Sequence, residues 1–177
     1  MTEALPLNQS YNLARLGNAG DDVSFAADEA QRAAIAAWSG VLSLESFVVR
    51  VKLSKLAPTR FGLDFTLDAE VTQACVVTLE PVPARIAHTF HRELEFTGPA
   101  RHKPAEDDSV PDVVLDLAKE EGPELIQSLH FDLASPVLEE YVLSLEPYPR
   151  APGAAFAPES EASQRPKSPF AVLKDLK

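Results

Sequence analysis

An α+β fold is predicted: a bent antiparallel β-sheet or half-open barrel with two main helices and a short C-terminal helix. Three observations point to it. From Phe61 to Pro81 the odd positions Phe61, Leu63, Phe65, Leu67, Ala69, Val71, Cys75, Val77 and Leu79 are apolar, while the even ones are almost all polar. That is the period of a strand with one buried face. Runs of the same period flank it at Leu44–Lys55 and Ala84–Phe96, with turn chemistry between, which makes a three-stranded meander. Two other segments, Asp28–Trp38 and Asp132–Leu145, repeat their apolar residues at helical spacing.

In chain order, Asn8–Leu16 alternates weakly and reads as a first strand, Gly17–Asp22 as a turn, and Val23–Ala26 as a short second strand. The first helix is alanine-rich. Asp28 is its N-cap, Gln31 completes a capping box, and Gly40 lies just past its end. Ala34, Ile35 and Trp38 are expected to face the core. On the next strand Phe47, Val49, Val51 and Leu53 share one face and Ser46, Arg50, Lys52 and Ser54 the other, with Val48 breaking the polar side. Ala57–Thr59 turns into the long alternating stretch, which exceeds an ordinary strand of ~5–6 residues. Gln73, the one polar residue in phase, is the expected site of a bulge. After the turn at Leu79–Pro83, Ile86, His88, Phe90, Arg92, Leu94 and Phe96 share a face, and Ala87, Thr89, His91, Glu93 and Glu95 share the other.

Residues 97–112 hold several prolines and the Glu106-Asp107-Asp108 run, a composition that cannot bury enough apolar surface to order itself, so a mobile acidic loop is expected. Val113–Leu117 and Leu125–Phe131 read as short edge-strand segments. Asp132, or Ser135 with Pro136 in the first helical position, starts the second helix. Its core stripe is Ala134, Val137, Leu138, Tyr141, Val142 and Leu145, and Pro147 and Pro149 end it. Residues 1–149 are thus expected to form one globular domain, 150–167 a disordered linker rich in Pro, Ala and Ser, and 168–177 a short amphipathic helix. In that helix Phe170, Leu173 and Leu176 make a one-sided stripe. A helix so short is marginal in water unless it docks, on its own domain or in the groove of a partner.

The chain has 177 residues and a formal charge of −11. Between Ala105 and Glu146 twelve acids are opposed by Lys119 alone, so this segment carries the whole of the net charge. Phosphate backbones are bound through Lys and Arg, so broad contact with nucleic acid, DNA included, is disfavoured and a basic protein partner fits better. No apolar run approaches the ~18 residues of a membrane span. The N-terminus lacks the features of a secretory signal, and the single cysteine allows no intrachain disulfide, so a cytoplasmic protein is expected.

Catalytic constellations are hard to find. His88 and His91 have the spacing of a metal pair but point to opposite faces of a strand. His102 and His130 have no companion at ligand spacing. Cys75 falls in phase with the buried face, where a lone cysteine is usually an inert small hydrophobe. As a nucleophile it would need a base, for which His88 is the candidate. Asp107, Asp108, Asp112 and Asp116 could hold Mg²⁺, but a proline-flanked loop reads rather as a solvated acidic run. No glycine-rich phosphate loop, GxSxG or HExxH occurs. Neither an enzyme nor a cofactor is expected.

Four stretches, DEAQRAAIAA, ACVVTLEPV (Ala74–Val82), LSLEPYPR (Leu143–Arg150) and the terminal SPFAVLKDLK, resemble in order and spacing the YceD-like family, the large ribosomal RNA subunit accumulation proteins, in its alphaproteobacterial form. The resemblance spans nearly the whole chain. It implies a small cytoplasmic bacterial factor needed for normal accumulation of large-subunit ribosomal RNA, with no established enzymatic activity. Many members of that family carry a second cysteine three residues after the first and further cysteines near the end of the second helix, suggestive of zinc. Thr78 and Pro147-Tyr148-Pro149 stand in those places here, which excludes a Cys-based zinc site.

The expected function is a non-catalytic ribosome-biogenesis factor working through protein contacts. Glu106, Asp107, Asp108, Asp112 and Asp116 would meet a basic ribosomal protein or an rRNA-processing factor, and Phe170, Leu173 and Leu176 would add an apolar anchor. The alternative, direct binding of ribosomal RNA, would use Arg50, Lys52, Lys55, Arg85 and Arg92.

Overall fold

Period-two patterning becomes three long neighbouring strands in the computed structural model, which describes residues 5–98 and 122–155. In chain order the elements are β1 (Ser10–Asn12), a 3-10 turn (Leu13–Arg15), β2 (Asp21–Ala26), α1 (Glu29–Ser39), β3 (Ser43–Lys55), β4 (Arg60–Ala74), β5 (Pro81–Phe96), β6 (Glu124–Ile126), β7 (His130–Asp132) and α2 (Ala134–Leu143). The fold is α+β and mostly strand. One sheet has the order β2-β3-β4-β5-β6, and β1 and β7 form a separate antiparallel pair. The expected closure toward a barrel is absent among the described residues, where β2 and β6 are open edges. Nor is the sheet purely antiparallel, because β6 runs parallel to β5 at Leu94–Phe96. The C-terminal helix expected at 168–177, most of the acidic loop at 97–112 and the strand at Val113–Leu117 lie outside the described residues.

Register follows the alternation. Val49 pairs with Leu67 and Val51 with Phe65, and Phe65 in turn faces Phe90, their rings stacked at 4.6 Å. The core takes Phe47, Val49, Val51 and Leu53 from β3, and Phe61, Leu63, Phe65, Leu67, Ala69 and Val71 from β4. The expected bulge lies in β3, where the register shifts between Leu44 and Ser46. Gln73 keeps regular pairing with Val82 and donates from its side chain to the Glu146 carbonyl at 2.9 Å. The alternation also ends sooner than expected. After Ala74 the chain turns, closed by Cys75 N–H to Glu80 O at 2.8 Å and Leu79 N–H to Cys75 O at 3.0 Å. Val77 and Leu79 therefore belong to the turn, and Leu79, at φ 63°, stands exposed. Pro81 and Pro83 open β5 where no strand pairs on its far side among the described residues, so no ladder donor is missed.

The helices differ in how they are held. In α1 the Asp28 side chain accepts from Gln31 N–H at 2.8 Å and the Gln31 side chain accepts from Asp28 N–H at 2.9 Å, while Gly40 ends it in the left-handed region. Its buried residues are Ile35 and Ala36. Trp38 and Ala34, expected in the core, are exposed, because the helix is turned about one residue so that Ala36 rather than Ala34 meets the sheet. α2 has no side-chain cap at Leu133; the carboxylate of Asp132 instead accepts from Ala134 N–H at 3.0 Å and from Gln9 N–H at 2.7 Å. Burial holds it: Leu133, Ala134, Val137, Leu138 and Tyr141 are wholly covered, and the Tyr141 ring meets Phe47 edge-on at 5.5 Å. Val142 of the expected core stripe is exposed, while Leu145 packs partly buried against the core.

Candidate functional site

The outer face of the sheet is polar, and pairing sets its charges against one another. One row runs Asp22, Lys52, Asp64, His91 across β2, β3, β4 and β5. Lys52 thus has a carboxylate directly opposite on either side, and Asp64 Oδ1 lies 2.7 Å from His91 Nδ1. Two rows along, Asp68 is shared by Arg50 at 3.7 Å and Arg85 at 3.5 Å. Opposite charges facing each other on adjacent strands are the favourable cross-strand arrangement, and here they leave little positive field for a phosphate. Arg50, Lys52, Asp64, Thr66, Thr89 and His91 line a shallow depression of about 560 Å³ on this face.

Of the five candidate RNA contacts, Arg50, Lys52 and Arg85 share the outer face. Lys55 ends β3 opposite Phe61, in phase with the inner face. Arg92 lies on the inner side, reaching α2: its guanidinium donates to Glu140 at 3.1 Å and sits 3.6 Å from Glu139. His88 Nε2 approaches the other Glu140 oxygen at 3.3 Å. The Phe90 ring lies between them, 6.0 Å below the Arg92 charge and stacked on His88 at 5.8 Å. This cluster ties β5 to α2. Its sign in the sequence is that His88 and Arg92 are polar residues in phase with an apolar face, which calls for a partner across the interface. The pair His88 and His91 does fall on opposite faces, each against its own carboxylate.

Cys75 sits in the turn after β4 and is fully buried. Its sulfur accepts from Val77 N–H and Thr78 N–H at 3.4 Å each, and from Ala151 N–H at 3.3 Å. The Thr78 hydroxyl, then the Ala151 and Thr78 N–H groups, bring the thiol from 9.0 down to about 6, with burial opposing them. Pro149 O accepts from Val76 N–H at 2.9 Å, so the chain is still tied to the domain beyond α2. His88 pairs with Leu67, eight residues back along β4 and ~25 Å away. It does not reach Cys75, and the nucleophile–base pair does not form. The single cysteine leaves no second thiolate for a Cys-based zinc site, and among the described residues no group of three or more His, Cys, Asp or Glu is placed to hold a metal.

The acidic candidates Glu106, Asp107, Asp108, Asp112 and Asp116, the tail candidates Phe170, Leu173 and Leu176, and His102 lie outside the described residues. No helix among the described residues is long and apolar enough to cross a membrane.

An open mixed sheet with two helices on one face and opposed charges on the other defines an α+β protein that, among the described residues, offers broad faces rather than a deep cleft. Within that class the chain belongs to the YceD family: the family model of the large ribosomal RNA subunit accumulation protein YceD matches residues 63–177. The match begins inside β4, so β1, β2, α1 and β3 precede it. No curated protein and no solved structure matches the chain.

Proposed function

We propose that this protein is a non-catalytic cytoplasmic factor that supports accumulation of large-subunit ribosomal RNA, and hence ribosome biogenesis, through contacts with proteins. The family's name supports the biological setting. The observation that carries the choice of protein over RNA is the pairing on the outer face: Lys52 stands between Asp22 and Asp64, and Asp68 engages both Arg50 and Arg85. A face so neutralised releases few counterions on meeting RNA, and release of counterions supplies most of the affinity for phosphate backbones.

The net charge of −11 instead resides between Ala105 and Glu146. Glu106, Asp107, Asp108, Asp112 and Asp116 form its densest part and would meet a basic ribosomal protein or rRNA-processing factor, with Phe170, Leu173 and Leu176 as an apolar anchor. No cofactor, membrane or DNA enters this reading. Capture of partners from lysate at low and high salt tests it: ribosomal proteins or processing factors are expected at low salt and should be lost at high salt. Their absence at low salt contradicts it.

A further inference from the structure

Among the described residues, the last turns of the two helices leave an apolar shelf uncovered. Trp38 and Ser39 of α1 and Val142 and Leu143 of α2 line a shallow depression of about 620 Å³, with Glu139 on its rim. Trp38, Val142 and Leu143 are 40%, 41% and 77% exposed. Single apolar side chains at a surface need no explanation, but several gathered in a concavity mark a docking site. We propose that in the free protein this shelf is the docking site of the chain's own C-terminal segment, Phe170–Leu176.

Three observations select that occupant. The first is shape in the sequence: Phe170, Leu173 and Leu176 recur every third residue, the spacing of a short helix with one apolar side, which gains from covering an apolar surface and is marginal without one.

The second is reach. Ala151 N–H is bonded to Cys75; Cys75 lies three residues beyond Thr72; the Thr72 carbonyl accepts from Leu42 N–H at 2.9 Å; and Leu42 follows Trp38 by four residues. Those steps place Trp38 within ~35 Å of Ala151, whereas the chain from Ala151 to Phe170 can extend ~60 Å.

The third is charge. From Arg165 to Lys177 the chain holds Arg165, Lys167, Lys174 and Lys177 against Asp175 alone, a basic end on an acidic protein. The rim of the shelf offers Glu139, whose side chain is 63% exposed. The docked segment thus places its apolar side on Trp38 and Leu143 and its lysines toward that carboxylate. This concerns the free chain and does not rest on the ribosome-assembly reading.

Trp38 is the only tryptophan, so it reports on the shelf without labelling. In the full chain, Phe170→Glu with Leu173→Glu should shift its emission to the red and raise its quenching by acrylamide about twofold, as a covered indole becomes open to water. Hydrogen exchange of the full chain supplies the second reading. Amides of 170–176 should be protected in the native protein and lose that protection in Leu143→Glu, a change at an exposed position that leaves the core intact. Identical Trp38 quenching in the native and double-variant chains overturns the proposal. So does protection of 170–176 that survives Leu143→Glu, since the segment then docks elsewhere. Quenching that changes with protein concentration overturns it too, since a second copy then covers the shelf.

Discussion

The two faces of β3, β4 and β5 are made from alternate residues of the same strands, yet they are held by different forces. Toward the helices, Leu67, Phe65 and Val49 are wholly buried and no buried polar or charged residue occurs among the described residues. Toward solvent, Asp64, Asp68, Arg50, Lys52 and Arg85 are arranged by register into opposed charges. Burial is non-directional and scales with area, so the inner face tolerates no loss of volume. Exposed ion pairs contribute ~0–1 kcal/mol each, so the outer face contributes little to stability. One residue of displacement along β4 therefore separates the residues that hold the fold from those that face solvent.

The largest effect expected from this comparison comes from neighbours on β4. Leu67→Ala should lower stability by about 2–5 kcal/mol in denaturant unfolding, whereas Asp68→Asn next to it should cost less than about 1 kcal/mol. Similar losses at both positions would break the distinction between the faces. Next comes Glu140, the carboxylate of α2 that meets both His88 and Arg92 of β5. Glu140→Ala removes the partner of His88 and the nearer of the two carboxylates of Arg92 at once and should cost about 1–2 kcal/mol, measured the same way, although Glu140 is a surface-helix acid by sequence.

A pH-dependent effect sharpens the point where the alternation ends. The Cys75 thiol is held at about 6 in the folded chain against 9.0 for an unperturbed group. A depressed acid contributes stability that is complete above the unfolded pKa and is lost as pH falls through the folded one. The stability difference between the native chain and Cys75→Ser should therefore shrink as pH is lowered from about 9 to about 6 and stay constant below that. A difference independent of pH would contradict the thiolate cradle.

What the sequence disclosed was the local and the periodic. Asp28, Gln31 and Gly40 act through their own backbone neighbours, so the ends of α1 were readable, and the register of β3, β4 and β5 follows from which residues must be inside. Trp38 was misplaced because the alanines around it offer no strong apolar stripe to fix the rotation of α1; packing against β3 decides it. The β1–β7 pairing joins Ser10 to Asp132 through three residues a side, too few for any period to show. Parallel β6 is equally short. The ion pairs of Arg92 were not legible because a basic residue on a strand looks like a phosphate contact until the helix opposite is known to carry Glu139 and Glu140. Cys75 was read correctly as buried, but its N–H partners include Ala151, 76 residues away.

As proposed, this YceD-family chain would act through proteins and not through RNA. Capture of partners by the full chain from lysate, with and without ribonuclease and at low and high salt, tests it most directly. The predicted result is recovery of ribosomal proteins or rRNA-processing factors at low salt, unaffected by ribonuclease and lost at high salt as charge pairing with the acidic segment is screened. Recovery that disappears with ribonuclease would contradict it and assign the function to RNA contact instead.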